Sequence, residues 1–285
     1  MLSALLALGA CGTTEVEPLP MYGGGDFKAE LRSGGRTRTY RLHVPTTIKP
    51  EEAVPLVIVL HGLGQDGNDI RRLSGFDAVA DERGGLVAYL DGAKDMVATW
   101  TYYGFAVPDD LDDVQFVVDV IDEVAETFTI DRTRVYAAGY SNGGLFAHQL
   151  GCQLRGRLAA IASVAASLHT VTRTLCTPET VIPAVFIHGT EDEAFPWTGT
   201  PDFMAVEEML RLWAELSGCT SGPTVTSLPD RVADGITVQR HDYDNCAGSD
   251  HISLYAVDGG GHTWPKSGDI SASVEMMDFF EEVSR

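Results

Sequence analysis

The sequence predicts an α/β fold with a mostly parallel central sheet, helices on both faces and an N-terminal antiparallel hairpin. Short apolar runs typical of strands buried on both faces recur along the chain, as at 56–62 and 85–92. Segments with helical periodicity separate several of them, including 112–128 and 203–218. Strands that alternate with helices favour parallel pairing through right-handed crossovers. Because no repeat or low-complexity block divides the 285 residues, we expect one large domain.

The beginning of the chain predicts export. Residues 1–10 are mostly apolar and small, which indicates a secretory signal segment. The sequence Leu-Gly-Ala-Cys that ends at Cys11 resembles a bacterial lipobox, which implies a cell-envelope protein lipidated at Cys11. The segment is short and contains no Lys or Arg, which departs from that pattern. An ordinary signal peptide or a buried N-terminal segment is the alternative.

The next part of the chain predicts a tether and then a hairpin. Residues 11–25 contain two prolines and three consecutive glycines, as expected of a flexible tether. Two alternating runs between residues 26 and 45 flank Ser33, Gly34 and Gly35, which predicts an antiparallel hairpin. We therefore expect the tether to end there and residues 26–285 to form a single domain.

The net charge of −21 limits the partners that the surface can bind. Such a surface repels nucleic acid and anionic lipid headgroups, so we expect contact with a membrane only through the N-terminal anchor. No segment after the N-terminus reaches the run of about 18 apolar residues that a membrane helix needs.

The cysteines predict two disulfides rather than a metal site. Besides Cys11 there are four, an even number in a chain expected to be exported. Three connectivities exist, and we favour Cys152–Cys176 and Cys219–Cys246 because each pair brackets a neighbouring part of the chain. None has the ligand spacing of a zinc site, and we expect no metal and no cofactor.

One pentapeptide carries the candidate nucleophile. The sequence Gly-Tyr-Ser-Asn-Gly, with Ser141 at its centre, matches G-x-S-x-G. A strand-like run precedes it and a helix-like run follows, which is the context of the nucleophile elbow in α/β hydrolases. The flanking glycines indicate a tight turn that presents the Ser141 hydroxyl rather than a helix cap.

A serine hydroxyl becomes a strong nucleophile only beside a base, and in this fold the acid and then the histidine follow the serine in the chain. Among the eight histidines, His262 lies in a glycine-rich loop just after a late strand. Ligands bind at such strand ends in open α/β sheets, so His262 is the candidate base.

The residues alone do not decide which carboxylate is the acid of the triad. Glu191, Asp192 and Glu193 follow a buried strand, and Asp258 lies four residues before His262. A triad carboxylate must hold the imidazole in one tautomer, which spacing alone does not assign to one of them.

Two backbone N–H groups are candidates for binding an oxyanion. One belongs to Asn142, directly after the serine, and the other to Leu63, in the loop after an early strand. His61 in the same loop then has a structural role.

Five segments in order carry a family resemblance: LHGLGQDGND, DDVQFV, RVYAAGYSNGGL, IHGTEDEAFPW and GGGHTWP. Together, from about Phe27 to Phe280, they resemble the secreted polyhydroxybutyrate depolymerase and feruloyl esterase-like family of α/β hydrolases, related to carbohydrate esterase family 1. The resemblance implies a secreted serine esterase that forms an acyl-enzyme on feruloyl, aryl or short-chain hydroxyalkanoate esters. Plant cell-wall polysaccharide or a polyester would then be the substrate.

The resemblance also selects residues. Its HGTxD motif implies Asp192 as the acid, its GGGHTWP motif implies His262 as the base, and its paired cysteines agree with Cys219–Cys246. The chain departs from the family where HGC is His-Gly-Leu and where the usual Pro-Tyr after the acid loop is Pro-Trp.

Aromatic residues near these motifs suggest a flat apolar substrate. Trp100, Tyr102 and Tyr103 follow one strand, and Trp197 and Trp264 flank the proposed acid and base. Apolar ring faces beside an ester cleft suit aromatic acyl groups or hydrophobic polyester. Packing within loops is the alternative for each of them.

Three other functions remain in competition. An acetylxylan-type esterase or a serine peptidase could use the same fold and residues. A non-catalytic lipoprotein could grip a polymer with its aromatic residues, but it would be expected to lose a triad member.

Overall fold

Ten strands form one sheet in the computed structural model, which describes residues 24–49, 51–93, 98–102, 111–248, 250–266 and 268–283. The predicted signal segment, Cys11, nearly all of the tether and Tyr103 lie outside the described residues.

The strands are β1 (Gly25–Ser33), β2 (Arg36–Val44), β3 (Val54–Leu60), β4 (Leu86–Leu90), β5 (Ile130–Tyr140), β6 (Ala160–Val164), β7 (Ala184–Gly189), β8 (Thr224–Ser227), β9 (Thr237–Tyr243) and β10 (Ile252–Asp258). The helices are α1 (Gly67–Ser74), α2 (Phe76–Arg83), α3 (Asp113–Thr127), α4 (Asn142–Gln153), α5 (Val206–Leu216) and α6 (Ala272–Glu282). A 3₁₀ turn covers Thr172–Leu175.

The centre of the sheet is parallel and both margins are antiparallel. The strand order is β1-β2-β4-β3-β5-β6-β7-β10-β9-β8. Strands from β4 to β10 in this order pair in parallel. The two margins are antiparallel, β1 and β2 at one end and β9 and β8 at the other. This arrangement confirms the predicted fold class.

The N-terminal hairpin also forms as predicted. Ser33 pairs with Arg36 across a two-residue turn. Gly34 and Gly35 occupy that turn with φ of 57° and 79°, which is backbone that glycine adopts without strain.

Helices cover both faces because the central strands are apolar on both sides. All seven residues of β3 are buried, as are all six of β7. Helices α3, α4 and α5 pack on one face through Phe116, Phe146 and Trp213. Helices α1, α2 and α6 pack on the other. The burial of strands on both faces accounts for the unbroken apolar runs in the sequence.

Parallel pairing places several loops at one edge of the sheet. The loops after β3, β5, β7 and β10 all leave the carboxyl ends of neighbouring strands. This edge is where ligands bind in open α/β sheets.

Both favoured disulfides are present. Cys152–Cys176 joins α4 to the segment after the 3₁₀ turn, and Cys219–Cys246 joins the segments that follow α5 and β9. Within the described part of the chain, no helix is both long and apolar enough to cross a bilayer.

Candidate active site

Ser141 lies on a sharp turn between β5 and α4. Its φ of 54° and ψ of −119° lie outside the common regions for an L-residue, and its N–H donates to the Val164 carbonyl oxygen at 2.9 Å. A backbone conformation of this kind costs about 1–3 kcal/mol and persists only where the surrounding structure imposes it. The turn holds the hydroxyl above the carboxyl end of the sheet.

The glycines around Ser141 are required by close backbone approach. A Cβ on Gly139 would collide with the carbonyl of Gly143, and one on Gly143 would collide with the carbonyl of Leu60. A Cβ on Gly144 would lie 2.7 Å from that of Ala166. The elbow therefore packs directly against the end of β3, which brings the loop after β3 to the serine.

His262 joins the serine to a carboxylate. Its Nε2 lies 2.9 Å from Ser141 Oγ, and its Nδ1 lies 2.9 Å from Asp192 Oδ2. A carboxylate only accepts hydrogen bonds, so Nδ1 carries the proton and Nε2 is free to accept from the serine hydroxyl. The Tyr140 hydroxyl donates to the His262 carbonyl oxygen at 3.0 Å and holds the loop in place.

Asp192 is buried and held from two directions. Its other oxygen, Oδ1, accepts from the N–H groups of Ala194 and Phe195 at 2.8 and 2.9 Å. Burial raises the pKa of Asp192, but the hydrogen bonds from His262 and Phe195 and the nearby imidazoles bring the pKa below its ordinary value. The carboxylate therefore remains ionised beside His262.

The structure separates the four candidate acids. Glu191 and Glu193 are exposed, and Asp258 is exposed and accepts from the Thr190 hydroxyl at 3.1 Å. Of these four carboxylates, only Asp192 has a described hydrogen bond to His262.

In the loop after β3, the backbone N–H of Leu63 has no hydrogen-bond acceptor among the described residues. Gly62 donates to the side chain of Gln65, Gly64 to the Ala98 carbonyl, and Gln65 to the Gly62 carbonyl. Leu63, between them, has an exposed side chain and no described acceptor for its N–H. This N–H remains available to a ligand.

Asn142 is the first residue of α4, so its N–H has no partner within the helix. Its side-chain Oδ1 accepts from the Trp100 N–H at 2.9 Å and from the Thr99 hydroxyl at 3.1 Å. The backbone N–H of Asn142 therefore lies next to the serine, while its side chain holds the segment that contains Thr99 and Trp100.

Trp100 and Trp264, which the sequence suggested as substrate contacts, are both buried in this structure. Trp100 is 0% exposed, stacks on Phe146, and donates from Nε1 to the His61 carbonyl. Trp264 is 3% exposed and donates to Ser273 on α6. Helices α4 and α6 cover these rings. Trp197 remains half-buried and packs edge-on against His188.

A different group of apolar side chains lies next to the serine and histidine. Tyr102, Leu145 and Ala166 form a small buried cluster, against which Phe195 and Phe203 pack while partly exposed. The Phe195 ring lies 5.8 Å from the His262 ring. We refer to these five residues as the apolar cluster. Apart from Tyr102, the sequence interpretation did not select them, although Phe195 lies within the acid motif.

One group of potential metal ligands lies elsewhere among the described residues. Asp26, His43 and Asp77 bring their ligand atoms within 4.8 Å of one another. The guanidinium of Arg71 forms ion pairs with both carboxylates, so its positive charge already offsets part of their negative charge. We describe this group as an ion-pair cluster between the N-terminal hairpin and helices α1 and α2.

The arrangement around Ser141 has the parts that acyl transfer requires. It combines a hydroxyl, a base that can accept its proton, a carboxylate that orients the base, and free N–H groups nearby.

Comparison with known proteins agrees with this geometry. Residues 38–174 match the family model described as esterase PHB depolymerase. The protein named "Putative esterase NocK" from Nocardia uniformis subsp. tsuyamanensis is 31% identical over 271 residues, which cover 88% of this chain and 78% of that protein.

A second relative is longer. Feruloyl esterase B from Piromyces equi is 29% identical over 230 residues, which cover 76% of this chain and 41% of that protein. The chain therefore spans less than half the length of this relative.

The fold has a solved counterpart. The structure of an acetyl xylan esterase from Aspergillus awamori superposes with a TM-score of 0.61 and 13% identity, covering 90% of this chain and 99% of that one. At this identity the likeness concerns the fold alone. The family-model match and the identity with NocK show that the chain belongs to the PHB-depolymerase esterase family, and the structural likeness agrees: the chain is an esterase with the α/β-hydrolase fold.

Proposed function

We propose that this esterase is a secreted serine carboxylic-ester hydrolase that works through an acyl-enzyme on feruloyl, aryl or short-chain hydroxyalkanoate esters. One observation carries the proposal: the chain of hydrogen bonds from Ser141 Oγ through His262 to Asp192, each 2.9 Å long.

In the first step His262 Nε2 takes the proton of Ser141 as Oγ attacks the carbonyl carbon of the ester. The resulting imidazolium is stabilised by Asp192, whose lowered pKa keeps it ionised. The N–H groups of Leu63 and Asn142 bind the oxygen on which negative charge develops.

In the second step the tetrahedral intermediate collapses and the alcohol leaves with the proton from His262. Ser141 is then esterified by the acyl group. Water attacks this acyl-enzyme as His262 takes one of its protons. Collapse of the second tetrahedral intermediate releases the free acid and returns that proton from His262 to Ser141 Oγ.

The apolar cluster supports an acyl group with an apolar or aromatic body. Leu145 lies one helical turn after Ser141, and Phe195 lies beside His262. Aromatic rings contribute a large apolar contact area and favour stacked or edge-to-face partners. The relative named feruloyl esterase B agrees with this substrate class.

Export is supported by the two disulfides, because such bonds persist in oxidising compartments. We include in the proposal cleavage after residue 10 and lipidation of Cys11. Mass spectrometry of the mature protein from the producing cell tests this, since a diacylglyceryl group on Cys11 and a free Cys11 differ in mass.

Hydrolysis of p-nitrophenyl butyrate tests the mechanism. We expect Ser141→Ala to lower kcat by about 10⁴-fold or more, because the acyl-enzyme cannot form without the Ser141 hydroxyl. Ser227→Ala, an exposed serine on β8, serves as the matched control and should retain wild-type activity. Equal rates for wild type and Ser141→Ala would contradict the mechanism.

A substrate series separates the ester classes. Methyl ferulate, feruloylated xylan, acetylated xylan and short-chain polyhydroxybutyrate should be compared by kcat/KM. We expect the feruloyl or hydroxybutyrate esters to exceed acetylated xylan, because an acetyl group reaches few of the rings of the apolar cluster. A preference for acetylated xylan would contradict the assigned substrate class while leaving the triad intact.

A further inference from the structure

His188 lies buried at the end of β7 and is used by none of the steps above. It is 1% exposed, and its Nε2 lies 2.8 Å from the carbonyl oxygen of Phe195. A carbonyl only accepts hydrogen bonds, so Nε2 carries a proton and donates. This hydrogen bond therefore joins the two ends of the loop that runs from His188 to Phe195.

The same loop carries the acid. The N–H of Phe195 donates to Asp192 Oδ1 at 2.9 Å, while its carbonyl accepts from His188. Phe195 is thus held on both sides of its backbone. His188 Nε2 also lies 3.8 Å from Asp192 Oδ2, the oxygen that accepts from His262.

We propose that His188 is a positioning residue for catalysis: its Nε2–H holds the Phe195 carbonyl and thereby fixes the Asp192 carboxylate toward His262. This inference rests on the proposed function, because it concerns the orientation of the same triad. It differs from packing alone in requiring a hydrogen-bond donor at one position.

The surroundings keep this donor neutral. Burial lowers the pKa of His188, although the Phe195 and Ala166 carbonyls and Asp192 favour its protonated form. A positive charge 3.8 Å from Asp192 Oδ2 would compete with the His262 imidazolium for the carboxylate. A neutral imidazole supplies the hydrogen bond without that competition.

Three substitutions at residue 188 distinguish a role as hydrogen-bond donor from a role in packing alone. His188→Gln places an amide nitrogen where Nε2 lies. His188→Asn has the same amide on a shorter side chain, which places it near Nδ1 instead. His188→Leu removes the donor but keeps an apolar side chain. His148→Leu is the matched control, since His148 is a fully buried histidine on α4 with no described hydrogen bond to the triad.

The first readout is steady-state hydrolysis of p-nitrophenyl butyrate. We expect His188→Asn and His188→Leu to lower kcat by about 10- to 100-fold with KM changed less than about twofold, because a misplaced catalytic group costs up to about 10²-fold. His188→Gln and His148→Leu should keep kcat within about threefold of wild type. Thermal unfolding of each variant shows that the comparison is made on folded protein.

The second readout needs no substrate. The proton shared by His262 Nδ1 and Asp192 gives a downfield proton resonance, which should remain sharp in His188→Gln and broaden or vanish in His188→Asn. This signal tests the inference even if the wild type hydrolyses no ester, an outcome that would contradict the proposed function instead. If His188→Leu does not fold, the comparison of kcat and of the resonance between His188→Gln and His188→Asn still tests the inference. Unchanged kcat and resonance in His188→Asn, or equal losses in Gln and Asn, would overturn the inference.

Discussion

The Arg38 guanidinium lies 2.6 Å from the Asp113 carboxylate, and the two side chains are 6% and 0% exposed. Asp113 also accepts from the N–H of Thr101 at 2.8 Å. The pair therefore connects β2 and the start of α3 to the short segment that contains Trp100 and Tyr102.

Removal of one partner should be costly. Asp113→Ala leaves a buried guanidinium without its counter-charge, and we expect it to lower the free energy of unfolding by about 3–5 kcal/mol. Urea denaturation measures the change. Glu207→Ala breaks an ion pair whose side chains are both 61% exposed, and it should cost less than about 1 kcal/mol. Similar losses in the two variants would show that Asp113 is not an essential partner.

Asp192→Asn should lower kcat by about 10³- to 10⁴-fold, because an amide does not hold His262 in the tautomer that accepts from Ser141. Initial rates with p-nitrophenyl butyrate measure this effect. Glu193→Gln is the matched control, since this neighbouring side chain is exposed. If Glu193→Gln were the inactive variant, the assignment of the acid would be wrong.

His148 should make the protein sensitive to mild acid. Complete burial lowers its pKa from 6.5 to about 3, so between these values the unfolded chain binds a proton that the folded chain does not. The contribution of His148 to the free energy of unfolding is therefore fully present above pH 6.5 and is lost as the pH falls toward 3. At pH 5 the loss from this residue is about 2 kcal/mol.

His148→Leu tests that linkage. Urea denaturation at pH 7 and pH 5 should show a smaller loss of stability in the variant than in wild type, by about 2 kcal/mol. An equal loss in the two proteins would mean that His148 does not titrate across this window.

The two disulfides should differ in accessibility. Cys219 and Cys246 are partly exposed, whereas Cys152 is 1% and Cys176 is 9% exposed. A mild reductant under native conditions should therefore open Cys219–Cys246 first, as alkylation and peptide mass spectrometry would show. The Cys219→Ser, Cys246→Ser double variant should lose about 3–4 kcal/mol of stability. Earlier opening of Cys152–Cys176 would contradict the order.

Much of the site was predictable because its residues follow strands directly in sequence. Ser141, Asp192 and His262 each lie within four residues of the end of β5, β7 or β10, so parallel pairing brings them together. The residues alone left the acid open among four carboxylates. Hydrogen-bond geometry separated them, and the resemblance had already pointed to Asp192.

The burial of Trp100 and Trp264 was not predictable in the same way. Each lies near a site motif, but α4 and α6 decide whether its ring is covered. Such long-range packing leaves no local signal. The strands β6, β8 and β9 were also not singled out. Strand β6 is short and rich in alanine, and all four residues of β8 are exposed. Strand β9 is mostly polar.

The crowding around the elbow restricts how this sequence can diverge. Side chains at Gly139 and Gly143 collide with backbone whether or not residue 141 carries a hydroxyl. A descendant that lost the serine would therefore be expected to keep both glycines for as long as it kept the fold. The two glycines thus belong to the architecture of the turn, whereas the hydroxyl, imidazole and carboxylate together belong to its chemistry.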